Sequence, residues 1–310
     1  MEARELVIIG AGPAGLTAGI YAKRSGLDVV VLEKGAVGGQ INLTDKISNW
    51  PGVESTSGME LSSSFKKHAL ALGVEIRDCE VSSVCSDGEN KIIETNKGII
   101  SAKALIIATG ARFRKLGCPG EAEYTGAGVS YCAVCDAAFF EDLEVAVIGG
   151  GNAAVEEAEY LTNFASKVYL IHRRGEFRAD KSAVDAVLGN EKIVPVMNTV
   201  VESIDGDEGF VSSLKIKNLI ENTVSQLPVS GVFVFVGTEP VLSLGQFEES
   251  ISRDKSGWII TDDGMATNIP GVYAAGDVRA KGLRQVVTAV SDGAISAMSA
   301  YKYIRNPYFI

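Results

Sequence analysis

The chain has no excess of basic residues and no long apolar run, and each of these shortages excludes a class of protein. Lysine and arginine number 29 against 39 acidic residues, giving a net charge of −10 that argues against a general nucleic-acid-binding protein. The longest apolar runs have the length of a strand, as at 232–236, so we expect no membrane span. The first residues lead directly into a strand pattern, so we expect neither a signal peptide nor a transit peptide.

Cysteine is also scarce, and the five cysteines include one close pair, the C-x-x-C motif of Cys132 and Cys135. Two thiols at this spacing can form a disulfide and be reduced again, and Asp136 directly after them could exchange the required protons. The alternative is half of a zinc site, which would need a second close pair of ligands. The remaining candidate ligands, which form no such pair, are Cys79, Cys85, Cys118, His68 and His172. We therefore expect redox catalysis without a metal, in the reducing environment of the cytoplasm.

The N-terminal segment has the pattern of a dinucleotide-binding unit. The apolar run Leu6–Ile9 predicts a strand buried on both faces of a parallel sheet. It is followed by the turn Gly10-Ala11-Gly12-Pro13-Ala14-Gly15 and a predicted helix at Leu16–Ser25, so a pyrophosphate could approach the helix N-terminus. A second strand, Asp28–Leu32, leads to Glu33, where a carboxylate can bind an adenosine ribose.

A second unit of the same type lies in the middle of the chain. The predicted strand Val145–Ile148 precedes the turn Gly149-Gly150-Gly151-Asn152-Ala153-Ala154, and another strand is predicted at Lys167–Ile171. In place of an acid, this strand is followed by His172, Arg173, Arg174 and Arg178. Arginines at this place can bind a 2′-phosphate, so the pattern favours NADP over NAD, with a solvated basic turn as the alternative.

The strand pattern is interrupted after Gly110 and again at Thr238-Glu239-Pro240. We therefore predict an α/β fold with two Rossmann-like, three-layer domains, the NADPH domain being inserted into the FAD domain. The FAD domain comprises residues 1–112 and 241–310, and the NADPH domain, residues 113–240, carries the C-x-x-C motif. Within the first domain, Val74–Val84 and Ile92–Ile100 are predicted to be strands of an antiparallel insertion.

Two nucleotide units and a redox disulfide in one chain imply a flavin. A pyridine nucleotide transfers hydride, whereas a disulfide is reduced through thiolate chemistry, and a flavin is the usual carrier between them. We assign FAD to the first unit, with Glu33 at its ribose, and NADPH to the second unit because of its arginines. If nicotinamide and disulfide use the same face of the flavin, the middle domain has to turn on the connectors around Arg112 and Pro240.

The segment 128–136, Gly-Val-Ser-Tyr-Cys-Ala-Val-Cys-Asp, resembles the redox motif of low-molecular-weight, bacterial-type thioredoxin reductases, and similar segments follow in order along nearly the whole chain. The resemblance implies a homodimer with non-covalent FAD, NADPH as donor and thioredoxin as acceptor. It also implies catalysis by Cys132 and Cys135, with Asp136 as acid and base, and we expect Cys135 to face the flavin because it adjoins this acid. The implied FAD-binding positions are Gly10, Gly12, Pro13, Ala14, Gly15, Glu33, Lys34, Gly39, Gln40, Asn49, Val81, Ala108, Thr109, Gly110, Gly276, Asp277, Arg284, Gln285 and Val286. The implied NADPH-binding positions are Gly149, Gly151, Asn152, Ala153, His172, Arg173, Arg174 and Arg178.

One departure from the family pattern concerns the choice of partner. Ala137 and Ala138 follow Asp136, where the family usually has a single glycine before two aromatic residues. We expect this difference to add a residue or to shift the loop beside Phe139 and Phe140, which are candidates for contact with thioredoxin.

The alternatives to a thioredoxin reductase are an enzyme with a peroxiredoxin-type or glutaredoxin-like acceptor, an enzyme with ferredoxin as the donor, and a non-enzymatic nucleotide-binding or redox-sensing protein. A ferredoxin-dependent enzyme should lack the nucleotide glycines and arginines, and a ferredoxin–NADP reductase would not need the C-x-x-C motif.

Overall fold

A computed structural model describes residues 1–44, 47, 49–242 and 244–306, without the side chains of Leu43, Val134 and Cys135. The chain forms two compact units. The first contains residues 1–112 and the chain from Glu239 onwards, and the second contains residues 113–238. Each unit has its own main sheet, mixed in the first unit and parallel in the second, and its own hydrophobic cores.

Helices and strands alternate at the start of each unit and are followed by runs of consecutive strands, at residues 75–130 and 193–240. The helices are α1 (Pro13–Arg24), α2 (Gly58–Ala71), α3 (Ala133–Asp136), α4 (Asn152–Leu161), α5 (Lys181–Leu188), α6 (Phe247–Ser250) and α7 (Val286–Arg305). The strands are β1 (Glu2–Ile9), β2 (Val29–Glu33), β3 (Glu75–Asp78), β4 (Val81–Asp87), β5 (Asn90–Thr95), β6 (Gly98–Ile107), β7 (Ala111–Phe113), β8 (Val129–Ser130), β9 (Glu144–Gly149), β10 (Lys167–Ile171), β11 (Ile193–Val196), β12 (Thr199–Asp207), β13 (Phe210–Asn218), β14 (Val224–Pro228), β15 (Gly231–Phe235), β16 (Thr238–Pro240) and β17 (Val272–Ala274). Short 3₁₀ helices occupy Gly39–Leu43, Ala137–Phe140 and Gly276–Val278. Among the helices of the described residues, none is long and apolar enough to cross a membrane.

The first unit is built on a sheet of strand order β3-β2-β1-β6-β5-β4, in which β17 also pairs with β6. The pairs β1–β2, β1–β6, β2–β3 and β6–β17 are parallel. Ile9 is level with Leu32 and Ile107, and Ile107 is level with Ala274. Since these strands end together, the segments that follow them meet at one edge of the sheet, which is where ligands bind in such folds.

Alternation along β1 and β2 divides the first unit into two cores. Leu6 and Ile8 belong to a core with buried residues of α1 and α7, whereas Val7 and Ile9 belong to a core with Phe247 of α6. Successive side chains of a strand point to opposite faces, so a continuous apolar run fills both cores. The sequence-based interpretation of 6–9 as a doubly buried strand is therefore confirmed.

In the second unit, as in the first, a sheet lies between two hydrophobic cores, one on each face. Its sheet, of order β11-β10-β9-β15-β8, is parallel throughout. Val145 and Val147 of β9 pack with α4, whereas Ala146 and Ile148 pack with residues of the antiparallel sheet β12-β13-β14. The predicted α/β fold with two Rossmann-like units is confirmed.

Two strand predictions in the first unit are wrong in detail. The segment 74–84 contains two strands, and the first of them, β3, pairs in parallel with β2 instead of joining the antiparallel ribbon. The segment 92–100 crosses a hairpin turn, in which Thr95 Oγ1 accepts a hydrogen bond from Lys97 N–H at 3.1 Å and donates one to Gly98 O at 2.7 Å. Gly98, with a φ of +123°, then begins the long strand β6.

Candidate active site

The first strand-to-helix turn depends on close approach of the backbone at its glycines. Gly10 has a φ of +106°, and a side-chain carbon there would lie 2.3 Å from the carbonyl oxygen of Ala108. A side-chain carbon on Gly15 would lie 1.8 Å from the carbonyl oxygen of Gly10. Gly12 and Pro13 begin α1, and no side chain of the described residues caps this end. Its first N–H groups are therefore available to a phosphate.

Glu33, at the end of β2, lies beside a small cavity. Its Oε2 accepts a hydrogen bond from Ala11 N–H at 2.7 Å, and its Oε1 accepts one from Gly35 N–H at 2.9 Å. The cavity has a volume of about 70 Å³. The expected cofactor-binding residues that line it are Gly10, Glu33, Lys34, Val81 and Thr109. The lining residues that sequence analysis missed are Ile9, Leu32, Cys79 and Val241. An apolar wall beside one carboxylate suits an adenosine, with its flat base and its ribose hydroxyl donors.

The other expected residues of the first unit are tied to neighbours by hydrogen bonds. Gln40 Nε2 donates to the carbonyl oxygen of Ala111 at 2.7 Å. Asn49 Nδ2 donates to Gln285 Oε1 at 3.1 Å, so the structure brings these two expected residues together. Gln285 is the N-cap of α7, whose first residue is Val286. Gly39 and Gly110, like Gly10 and Gly276, have a positive φ.

Asp277 presents a buried acceptor near the start of α1. It follows Gly276, where a side-chain carbon would lie 2.8 Å from Ala14 Cβ. Oδ1 of Asp277 has no hydrogen-bond partner among the described residues, although Lys281 Nζ lies 3.4 Å away as an ion pair. Burial raises the pKa of Asp277, and Lys281 opposes that shift. A ligand hydroxyl would satisfy this oxygen, so Asp277 fits a ribityl chain.

The Gly276–Asp277 turn is held by a carboxylate that no local sequence pattern indicates. Asp292 of α7 is 6% exposed, and its Oδ2 accepts a hydrogen bond from Gly276 N–H at 3.0 Å. It also pairs with Arg279 Nη1 at 2.9 Å and with Lys281 Nζ at 3.1 Å. These bonds satisfy a charge that would otherwise be buried at high cost.

Trp258 supports another expected residue, Arg284. The guanidinium carbon of Arg284 lies 3.6 Å from the centroid of the Trp258 ring. Arg284 Nε also donates to the carbonyl oxygen of Asp277 at 3.4 Å, which is a long hydrogen bond. Trp258 is thus a buried packing residue and also the cation–π partner that orients Arg284.

The second strand-to-helix turn has the same close backbone approach. A side-chain carbon on Gly149 would lie 2.3 Å from the carbonyl oxygen of Phe235. Gly151 is the N-cap of α4, and Asn152 begins the helix. Asn152 Nδ2 donates to Asp180 Oδ2 at 2.8 Å, and Asp180 N–H donates to Asn152 Oδ1 at 2.8 Å. Ala153, the next expected position, is exposed in the first helical turn.

This turn opens on a basic cavity of about 410 Å³. The expected residues that line it are Gly149, His172, Arg173 and Arg178. Arg174 is not among the lining residues, and its carbonyl oxygen accepts a hydrogen bond from Asn198 N–H at 3.1 Å. Two further cations that sequence analysis missed, Arg114 and Lys115, also line the cavity. Their only sequence signal is their charge in a segment otherwise typical of a connector.

His172 is buried in the wall of this cavity. It is 4% exposed, and its Nε2 has no hydrogen-bond partner among the described residues. Its ring occupies the space that a side chain at Gly150 would need, at 2.3 Å from the position of the missing carbon. Burial lowers the pKa of His172, and the charges of Arg178, Arg174 and Arg173 lower it further. The imidazole is therefore neutral at pH 7, and the positive charge of the cavity comes from its arginines and lysine.

The redox segment begins after β8. Cys132 is disulfide-bonded and is the N-cap of α3, whereas Cys79, Cys85 and Cys118 are free. The side chain of Cys135 lies outside the described part of the structure. Asp136 is the last residue of α3 and is half-buried.

The alanines that depart from the family pattern fit a regular backbone. Ala137 has φ and ψ of −55° and −37°, a right-handed helical conformation that does not require glycine. The chain continues without interruption from α3 into the 3₁₀ helix that contains Ala138, Phe139 and Phe140. Phe140 is buried against Phe233, whereas Phe139 is 78% exposed.

The comparisons with known proteins agree with this arrangement. The sequence profile of the pyridine nucleotide-disulphide oxidoreductase family matches residues 4–293. The chain therefore belongs to this family. It is 44% identical to a thioredoxin reductase of Listeria innocua serovar 6a over 306 residues, 97% of this chain and 94% of that protein. It is 47% identical to a thioredoxin reductase of Peptoclostridium litorale over 309 residues, 97% of both chains. The crystal structure of Lactococcus lactis thioredoxin reductase in its FR conformation superposes with a TM-score of 0.84 at 45% identity, covering 97% of this chain and 99% of that one.

We predict that Asp292→Asn destabilises the first unit. The substitution removes one partner of a buried ion cluster while keeping the size of the side chain, so we expect a loss of about 3 kcal/mol in the free energy of unfolding. Urea unfolding followed by tryptophan fluorescence measures this loss, because Trp50 and Trp258 both lie in the first unit. Asp262→Asn, at an exposed residue whose Oδ1 accepts one backbone bond from Ala266, is the control. Equal stabilities of the two variants would contradict the structural role of Asp292.

Proposed function

We propose that the chain is a thioredoxin reductase that uses NADPH and FAD to reduce a Cys132–Cys135 disulfide, which in turn reduces thioredoxin. The main support is that one chain contains two glycine-rich strand-to-helix turns, 10–15 and 149–154, which we call the two cradles, and a disulfide-bonded Cys132. A carboxylate lies beside the first cradle, and basic side chains lie beside the second. The relatives named above carry the same function in their names. The free thiols of Cys79, Cys85 and Cys118 are consistent with a reducing, cytoplasmic location.

We propose that FAD binds the first unit without a covalent bond. The N–H groups at the start of α1 would hold its pyrophosphate, Glu33 its adenosine ribose and Asp277 its ribityl hydroxyls. Gly10 and Gly15 fit this role because a side chain at either position would occupy the space needed by the backbone. When bound, the flavin would supply the two-electron transfer between a nicotinamide and a disulfide.

We propose that NADPH binds the second unit. Arg173 and Arg178 line the basic cavity together with Arg114 and Lys115, and guanidinium groups bind a phosphate through paired hydrogen bonds. No carboxylate lines the cavity among the described residues, whereas Glu33 occupies the corresponding place in the first unit. The 2′-phosphate of NADPH is therefore the group that distinguishes the two sites.

Reduction of the disulfide takes up two electrons and two protons, and Asp136 is the residue that we propose to supply a proton. It adjoins Cys135, and it is the only carboxylate between Val129 and Phe140. Its location at the end of α3 keeps it in the same short helix as the second cysteine. Histidine is absent from this stretch, so a carboxyl group has to perform the work that an imidazole often performs.

The proposal predicts NADPH-dependent reduction of thioredoxin by the full chain reconstituted with FAD. We expect NADH to be at least about tenfold poorer, because it lacks the phosphate that the arginines would bind. Cys135→Ser should abolish reduction of thioredoxin. The measurement is NADPH oxidation with thioredoxin, a glutaredoxin-like protein or a peroxiredoxin-type protein as the acceptor, and with reduced ferredoxin as an alternative donor. Preference for another acceptor or for ferredoxin would contradict the proposed function.

Asp136→Asn tests the proton transfer separately. We expect formation of the dithiol to slow about 100-fold, because general acid catalysis typically contributes at least this factor. Reduction of the flavin by NADPH should remain nearly unchanged. Rapid mixing, followed through flavin absorbance, separates the two half-reactions. The exposed Glu141→Gln serves as the control, and equal loss in both half-reactions would exclude the proposed role of Asp136.

We propose that the chain forms a homodimer through the outer face of α7. Val287, Ile295 and Met298 are exposed there at helical spacing, and Ser25 Oγ, next to α1, lies 3.5 Å from Met298 Sδ. Exposed apolar side chains on one face indicate an interface. Ile295→Asp should therefore reduce the mass in sedimentation equilibrium to that of a monomer. Ile220→Asp, at a residue that is 75% exposed in the second unit, should leave the dimer intact, and a dimeric Ile295→Asp variant would rule out this interface.

A further inference from the structure

Glu121 is a buried carboxylate that the proposed reaction does not use. It is 3% exposed. Its Oε1 accepts a hydrogen bond from Leu116 N–H at 2.8 Å, and its Oε2 accepts one from Gly117 N–H at 2.8 Å. A third bond, at 2.7 Å, comes from the hydroxyl of Tyr131 to Oε1. A buried charge with this many charge-assisted bonds strongly restrains the groups around it.

Tyr131 directly precedes Cys132 and is held at both ends of its side chain. The hydroxyl donates to Glu121, and the ring stacks on Phe113 with a centroid distance of 6.1 Å and an interplanar angle of 17°. Burial and the bond to Glu121 raise the pKa of Tyr131, so the hydroxyl stays protonated and keeps donating at neutral pH.

Cys132 is in turn held by the residue on the other side of Tyr131. Ser130 Oγ accepts a hydrogen bond from Cys132 N–H at 3.0 Å and donates one to Cys132 O at 3.1 Å. Ser130 is itself 5% exposed and lies in β8, level with Phe233 of β15. The backbone of Cys132 is therefore tied to the sheet through Ser130 and to the Leu116–Glu121 segment through Tyr131.

We propose that Glu121 is a positioning residue that, through Tyr131, holds Cys132 in the conformation in which its disulfide closes. These contacts occur in the structure in which Cys132 is disulfide-bonded. Restraining one cysteine in this conformation raises the effective concentration of its thiol at the partner sulfur, because less conformational freedom is lost on closure. The catalytic importance of this positioning rests on the proposed function. Its effect on the equilibrium between disulfide and dithiol does not.

Tyr131→Phe tests this role by removing only the hydroxyl. The ring can still stack on Phe113, and Glu121 keeps both backbone donors, so the variant should fold. The measurement is the equilibrium of the full chain with glutathione, in which two glutathione molecules give up two electrons and form one glutathione disulfide while the protein disulfide becomes a dithiol. We expect the equilibrium constant for disulfide formation to fall about threefold to tenfold, the effect of losing one hydrogen bond. Alkylation and mass spectrometry give the fraction of dithiol.

Tyr169→Phe is the matched control, since it removes the same kind of bond elsewhere in the second unit. The Tyr169 hydroxyl donates to Glu144 Oε2 at 2.9 Å, and neither residue contacts the redox segment through any bond of the described residues. We expect its disulfide equilibrium to equal that of the unchanged protein. Glu121→Gln should lower the equilibrium constant at least as much as Tyr131→Phe. In this variant the side-chain amide group would place an N–H donor against the N–H donor of Leu116 or of Gly117.

Two results would overturn the inference: an unchanged equilibrium constant in Tyr131→Phe, or an equal fall in Tyr169→Phe. An unchanged constant together with a lower melting temperature of Tyr131→Phe would mean that Tyr131 stabilises the unit without positioning the cysteine. Failure of the unchanged protein to reduce thioredoxin with NADPH would count against the proposed function alone, because the glutathione equilibrium requires neither NADPH nor thioredoxin.

Discussion

The two cradles, the strand-to-helix turns 10–15 and 149–154, both depend on a backbone-to-backbone contact that leaves no room for a side chain. In the first unit, Gly15 approaches the carbonyl of Gly10, and Gly10 approaches the carbonyl of Ala108. In the second unit, Gly149 approaches the carbonyl of Phe235. These contacts bring a helix N-terminus to the ends of parallel strands, so the groups that could bind a pyrophosphate and those that could select a nucleotide converge at one edge of each sheet.

The two cradles differ in charge. In the first unit, Glu33 brings a carboxylate to the turn and accepts two backbone hydrogen bonds. In the second unit, burial and the nearby arginines lower the pKa of His172, which favours the neutral imidazole. The positive charge at the cavity comes from its other basic side chains, Arg173 and Arg178 among them. A chain with a net charge of −10 can thus maintain a basic cavity among its described residues.

The sequence was informative where the relevant chemistry is contiguous, and it was silent where distant segments meet. The glycine turns, the acid at the end of β2 and the arginines after β10 each lie at or within a few residues of a strand end, so the local pattern was sufficient to predict where they lie in the fold. Asp292 meets Gly276 only because α7 packs beside the turn, and its bonds to Arg279 and Lys281 have no local pattern. The parallel pairing of β3 with β2 was missed for the same reason, since a short strand's neighbour is decided by tertiary packing.

In the redox segment, residues 129–140, burial and hydrogen bonding limit which side chains can exchange protons. Between Val129 and Phe140 the side chains that could titrate are the two cysteines, Tyr131 and Asp136. Tyr131 is a poor acid because its pKa is raised and its proton is already donated to Glu121. The hydroxyl of Ser130 is likewise engaged with the backbone of Cys132. These hydrogen bonds withdraw the neighbouring hydroxyls from proton exchange. That supports the proposed role of the Asp136 carboxyl group in a reaction in which each reduced sulfur gains a proton.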